Sequence, residues 1–270
     1  GLARAHARDQ WLGALYASAE ARGALFALAS FDYEIRHALK RARDPNLMAI
    51  RLAWWREIIS GERQGEAAGN PVALALRAAI DTHALPQTWL EAMLDARLQA
   101  IAPQDDFNLV AFRAFADESE AARLKLASRI AAGRQHLDPE DAHAPAGMAL
   151  ALTRLIKDLP FKAGSGPTLI PTDVADRHGV SPADFGARRV TPGVLAACAE
   201  LRGLARDELA EAERRLKTSS PAILPVFVPL APLRLDLDRL DRNAARPFEA
   251  VSEVSPLRRQ WAIWRWAQTR

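Results

Sequence analysis

Cysteine is almost missing from this chain: its 270 residues hold one, Cys198. No disulfide can form within the chain, so a reducing compartment fits best, and buried packing is the expected role of the thiol. Long apolar runs are missing too. No stretch reaches the ~18 residues that a membrane-spanning helix needs, and the opening GLARAHARDQ has no apolar signal core. A cytoplasmic location is the expectation. Charge of one sign does not dominate either. The net charge is +3, and the arginines that lift the pI to 9.3 are interleaved with acids at helical spacing. That pattern reads as solvated helix faces and excludes nucleic acid as the expected partner. Several kinds of site are absent: no Cys/His pair at zinc spacing, no glycine loop opening a helix to cradle phosphate, no nucleophile elbow. The histidines are dispersed, with His6, His83, His136 and His143 expected at the surface and His178 capping or packing in the turn DRHG. There is no internal repeat and no low-complexity tract.

What is present is helical periodicity, with 49% hydrophobic residues, enough for a sizeable core. Trp11, Leu12, Leu15 and Tyr16 open a short stripe. Ser18 is a candidate N-cap for a long helix over 19–41, with Leu25, Leu28, Ala29, Ile35 and Leu39 inward. Asp44-Pro45 breaks it and starts a helix that carries Leu47, Ile50, Trp54 and Ile58 inward, with Trp55 at the stripe's border, and stops near Gly61. Helices are predicted over 71–84, 86–102, 107–133, 145–159 and 192–217. Residues 134–144 read as polar turn, and 161–185 as extended. Pro225 and Pro229 predict a kinked or divided helix over 221–232. Residues 233–242 begin with strand-like alternation, yet Leu233, Leu237 and Leu240 fit a helix, and no other strand exists to pair with them. Residues 255–268 close the chain as an amphipathic Trp/Arg helix. The fold class is all-α, and 1–270 is expected to form a single domain.

Two phrases carry a resemblance. ALFALASFDYEIRHALKRARDPNLMAIRLAWWREIISG (24–61) and GMALALTRLIKDLPFKAGSGPTLIPTDVADRHGVSPADF (147–185) resemble the squalene/phytoene synthase family, and the resemblance covers most of the chain. It implies an isoprenoid-synthase-like helical bundle. In that family two aspartate-rich motifs on facing helices hold magnesium, which binds the diphosphate leaving group as a carbocation forms. Magnesium requires hard oxygen ligands. Carried over residue by residue, the first motif's aspartates fall on Arg36, His37 and Lys40. The second motif falls on Arg154, Asp158 and Lys162. Only Asp158 retains a carboxylate, so these are degenerate diphosphate-site positions.

The phrases RLAWWREIISG and QWAIWRWA, with Phe31 and Glu34 and the run Pro160, Pro171, Asp173, His178, Gly179, Val180, Ser181, Asp184 and Phe185, are most similar to the family's non-synthase branch, which includes a mitochondrial complex I assembly factor. The resemblance implies a non-catalytic protein without a cofactor, acting as an assembly or interaction factor with a membrane-complex protein as partner. Three alternatives stand beside it. One is a prenyltransferase with an atypical magnesium site, built from Asp32, Glu34 and Asp158. Another is a module binding a prenyl lipid, its cavity walled by Phe31, Glu34, Arg51, Trp54 and Trp55, although core packing is the simpler role for the tryptophans. The last is a metal-free basic pocket of Arg36, Lys40, Arg154, Lys157 and Lys162, against which stands plain pairing with neighbouring acids such as Asp32 four residues before Arg36. Trp261, Trp264 and Trp266 with Arg258, Arg259, Arg265 and Arg270 suit peripheral contact with the inner membrane, although packing on the bundle is the simpler expectation.

Overall fold

The computed structural model describes residues 1–41, 45–100, 107–133, 142–163 and 170–268, the side chains of 38–41, 45 and 64 excepted. Among these residues every regular element is helical. In order they are α1 (Leu2–His6), α2 (Arg8–Ala14), α3 (Ala19–Arg41), α4 (Pro45–Ser60), α5 (Gln64–Ala67), α6 (Pro71–His83), α7 (Gln87–Gln99) and α8 (Leu109–Ala116). A π-helical turn (Asp117–Ala121) joins α8 to α9 (Ala122–Ala132). Then come α10 (His143–Lys162), α11 (Thr172–Arg177), α12 (Pro182–Gly186), α13 (Pro192–Arg215), a 3-10 run (Pro221–Leu230), α14 (Leu233–Arg242) and α15 (Pro256–Gln268).

The helix starts are written locally. The Ser18 hydroxyl accepts from the Ala21 N–H at 3.3 Å. Asn70 accepts from Val72 and Ala73 at 2.9 and 3.2 Å ahead of Pro71, and Thr191 accepts from Val194 at 3.1 Å ahead of Pro192. Each satisfies N–H groups that a helix start leaves open. Ser181 and Asp184 close a reciprocal capping box on α12.

One continuous apolar core runs from Ala14 to Leu240. Helix α10 lies within it and packs most extensively on α13 and on the π turn. At that second contact Gly147 is required. A Cβ there would meet the Ala121 backbone nitrogen at 2.7 Å, so the two segments touch backbone to backbone.

Several expectations need correction. The inward face of α4 is carried by Met48, Leu52, Trp55 and Ile59, while Leu47 and Ile50 face solvent and Trp54 is half-buried. LMAIRLAWW is apolar on two faces, so two stripes fit it equally, and packing chose the other. The 107–133 helix is interrupted by the π turn. The 221–232 segment is a 3-10 run, since Pro225 and Pro229 cannot donate the α-helical bonds. The 161–185 stretch contains α11 and α12, while 164–169 lie outside the described residues. His143 is buried, 2.8 Å from the Ser128 hydroxyl and 5.2 Å from the Phe227 ring. His136 lies outside the described residues.

Candidate functional site

Asp32 and Arg36 lie one turn apart on α3, so their side chains share a face. Both turn inward, and Arg36 Nε donates to Asp32 Oδ1 at 2.7 Å. The second carboxylate comes from the π turn. A π turn inserts one residue into a helix and re-aims what it carries, and here it delivers Glu120 to the interior. Arg36 Nη2 donates to Glu120 Oε1 at 2.6 Å, and Arg154 on α10 donates to the same oxygen. Arg123, on the first turn of α9, reaches Glu120 Oε2 at 3.4 Å and stands 3.8 Å from Asp32 Oδ2. Arg97 on α7 completes the group, its guanidinium 5.6 Å from the centre of the Phe115 ring.

Four arginines thus face two carboxylates, three of them in the interior of the bundle and Arg154 at its edge with its side chain 41% exposed. Burial pushes the Asp32 carboxyl up, but Arg36, Arg123 and Arg97 beside it outweigh that and hold it below the ordinary carboxylate range. Burial likewise works against the Arg36 cation, and Asp32 with Glu120 overcomes it. Arg97 is less well compensated: burial, then repulsion by Arg36, outweighs the attraction of Asp32 and Glu120 and depresses it to about 10.

The other candidate positions are dispersed. His37 Nδ1 is 3.0 Å from the Tyr33 carbonyl, its ring 3.9 Å from that of Tyr33. The Lys40 side chain lies outside the described residues. Asp158 is half-buried one turn along α10 and Lys162 is exposed a turn further, while Lys157 pairs with Asp236 at 3.5 Å. Phe31 and Trp55 are wholly buried and meet edge to face at 5.0 Å. Trp54 donates to Glu66 at 3.0 Å, and Glu34 faces Arg51 at 3.8 Å. Among the described residues no three His, Cys, Asp or Glu side chains gather where a metal ion could be held. Magnesium needs several free oxygen ligands, whereas Asp32 and Glu120 are already taken up by guanidiniums, so the residues present do not fit it. A cavity of about 20 Å³ beside Arg123, lined also by Leu25, Leu28 and Pro225, has room for about one water.

Arg97, Glu120 and Arg123 were not among the candidates. Arg97 carried a signal, since it follows Leu90, Met93 and Leu94 on the inward face of α7. Glu120 and Arg123 carried none, because DESEAAR reads as a solvated stretch until the π turn redirects it.

A second surface is set by α15. Ile263 anchors it in the core, and Trp266 packs partly buried. Arg259 turns inward to Asp9 at 2.7 Å and Asp236 at 3.2 Å. Leu257, Trp261 and Trp264, at steps of four and three, are 79%, 58% and 53% exposed. The expectation that the closing tryptophans pack on the bundle therefore holds for Trp266 alone. Arg265 lies 5.4 Å over the Trp261 ring, and Arg258 is exposed beside Leu257.

A model of the squalene/phytoene synthase family matches residues 3–265. Among relatives by sequence, the chain is 23% identical to NADH dehydrogenase (ubiquinone) complex I, assembly factor 6 of Homo sapiens, over 87% of this chain and 70% of that protein. It is 24% identical to the Bos taurus protein of the same name, over 66% and 53% respectively. Among solved structures, a dehydrosqualene synthase in complex with ligand superposes with a TM-score of 0.82 at 13% identity, covering 99% of this chain and 93% of that one. A squalene synthase from Alicyclobacillus acidocaldarius gives 0.76 at 18% identity, covering 92% and 93%. These likenesses to solved structures show the isoprenoid-synthase fold.

Proposed function

The chain belongs to the squalene/phytoene synthase family, and from that premise we propose that it is a non-catalytic member, an assembly or interaction factor for a respiratory NADH dehydrogenase. One observation supports the loss of chemistry: two of the positions that fall on the synthases' metal-binding motifs hold Arg36 and Arg154, joined through Glu120 into an ionic cluster. Cations at these places repel magnesium, and the nearby Asp32 and Glu120 already pair with guanidiniums. The partner class follows from relatives named as complex I assembly factors. The continuity of the core from Ala14 to Leu240 supports reading 1–270 as one folding unit.

The assay is turnover of farnesyl or geranylgeranyl diphosphate with magnesium. The expected result is no product, together with recovery of NADH dehydrogenase subunits on the tagged protein in its own cells. Product formation would return the chain to the prenyltransferases. A prenyl lipid found by mass spectrometry in the purified protein would favour a lipid carrier.

The same proposal includes contact with the membrane through α15. No helix among the described residues is long and apolar enough to cross a bilayer. The Leu257–Trp261–Trp264 stripe is bordered by Arg258 and Arg265, and no acid occurs from 256 to 268. Aromatic and apolar groups with basic flanks suit the boundary between anionic headgroups and acyl chains. Co-sedimentation with phosphatidylglycerol vesicles is expected for the native chain and lost in W261S/W264S. Equal sedimentation of both would remove α15 from the contact.

A further inference from the structure

Two large apolar side chains stand side by side on the surface where α2 ends: Leu15 is 39% and Tyr16 44% exposed. A single exposed apolar residue is ordinary, and it is adjacency to a second patch that makes such a pair informative. The fold supplies that adjacency. Arg259 on α15 holds Asp9 on α2 at 2.7 Å. The helical path of α2 continues through Leu15, whose backbone stays in the right-handed region. Tyr16 therefore lies two turns, or ~10 Å, on from Asp9 and emerges on the same side of α2. Between them Gly13 sits against the 3-10 run, where a Cβ would meet the Pro225 carbonyl oxygen at 2.6 Å. The same run packs on α15. α2, the 3-10 run and α15 thus form one layer, fixed by a close backbone contact and by an ion pair between the two ends of the chain.

The charges around this layer are mostly of one sign. Arg8 is exposed two turns before Leu15 on its face of α2. Arg22 is exposed too, its Nε donating to the Ala17 carbonyl at 3.1 Å. Of the acids before Arg22, Asp9 is taken by Arg259, and Glu20 alone is exposed. We propose that Leu15 and Tyr16 form, with the Leu257–Trp261–Trp264 stripe, one membrane-facing surface whose occupant is an anionic lipid bilayer. Tyrosine and tryptophan suit the headgroup boundary, since each has an apolar ring and one polar group to leave in water. The flanking arginines meet lipid phosphates. One short apolar element binds a bilayer only marginally, whereas two held rigidly together bind as one, because the second contact is intramolecular. This inference rests on the membrane reading of α15 and adds a second contact to it.

The buried Cys198, 0% exposed, allows a clean test, because a cysteine introduced at the surface is the thiol that reacts. An environment-sensitive fluorophore is placed on the full chain at Leu15→Cys, at Trp264→Cys and, as a control, at Val110→Cys on α8, where the native side chain is 77% exposed. With phosphatidylglycerol vesicles the emission is expected to shift to the blue at positions 15 and 264 and to stay unchanged at 110. Phosphatidylcholine vesicles are expected to give no shift. A shift at 264 without one at 15 would overturn the proposal and leave the α15 reading standing. Shifts at neither position would remove both. A shift at 15 alone, or at all three positions, would also overturn the proposal, since the surface is then not the shared one. An equal response to phosphatidylcholine would overturn the anionic bilayer as occupant. In co-sedimentation, L15S/Y16S with an unchanged unfolding midpoint is expected to bind phosphatidylglycerol vesicles about tenfold more weakly than the native chain. Native-like sedimentation of that variant would overturn the proposal, and loss of NADH dehydrogenase subunits from it would then assign the patch to a protein.

Discussion

Two arginines tie distant parts of this fold together, and they are built in opposite ways. Arg259 sits between Asp9 and Asp236, with hydrogen bonds of 2.7 to 3.2 Å from Nε and both terminal nitrogens. It links α2, α14 and α15, residues 250 positions apart in the case of Asp9. Arg97 is more deeply buried and has no hydrogen-bonded acceptor on Nε or Nη2. Two carboxylates serve Arg259 and Lys157 in the first place, and four cations share two carboxylates in the second. A saturated arginine is a clasp, and its cost of desolvation is offset within the chain. An unsaturated one retains part of that cost.

The sharpest way to strain this comparison is Glu120→Ala, which leaves Arg36, Arg123 and Arg154 without their shared acceptor. Loss of one partner from a buried ionic group costs about 3–5 kcal/mol, read as a large fall in the urea midpoint. Arg259→Met should come next, at about 2–3 kcal/mol, because it removes the hydrogen bonds to Asp9 and to the buried Asp236 and leaves Asp236 with Lys157 at 3.5 Å. Hydrogen exchange should then show α15 loosened first. Arg97→Met reverses the sign: removing a buried charge whose attraction to Asp32 and Glu120 falls short of burial and the repulsion of Arg36 should be neutral or stabilising by up to about 1 kcal/mol. If Arg97→Met costs as much as Arg259→Met, the contrast between the two arginines collapses.

Acid titration tests the Asp32 cluster in another way. The folded-state Asp32 carboxyl is held below its ordinary range by Arg36, Arg123 and Arg97, which outweigh burial. Its contribution to stability is therefore complete above the unfolded value near pH 4 and is lost as pH falls through the lower folded value. Asp32→Asn should flatten the acid limb of a stability–pH curve below about pH 4 and leave its neutral limb parallel to that of the native chain. The smallest expected effect is on the outside. Trp261 and Trp264 are more than half exposed, so W261S/W264S should change stability by no more than about 0.5 kcal/mol while abolishing vesicle binding.

Much of the fold was legible because it is written locally. Ser18 is the cap that the sequence pointed to, with its partner three residues away, and three-four spacing marked the inward faces of α3 and α14. The Asp32–Arg36 pair was readable for the same reason. Glu120 was not, for its partners Arg36 and Arg154 are 84 and 34 residues distant, and no local pattern encodes such meetings. The inversion of Trp54 and Trp55 has a different origin. Both faces of α4 are apolar, and only the neighbours decide which is buried. That choice leaves Leu47 and Ile50 on the surface.

The π turn at Asp117–Ala121 has a consequence for the lineage as well as for the site. It holds one residue more than an α-helical path would, and each residue of a helix turns the next by about 100°. Deleting any one of the five would rotate α9 against α8, carrying Arg123 and Leu124 away from the interior they now fill. The segment should therefore tolerate substitution far better than shortening. A relative whose chain is one residue shorter between the counterparts of Ala116 and Ala122 would lack the means to bring both a carboxylate and an arginine inward from this helix. Length alone, at this one place, would then mark which members of the family carry the ionic core.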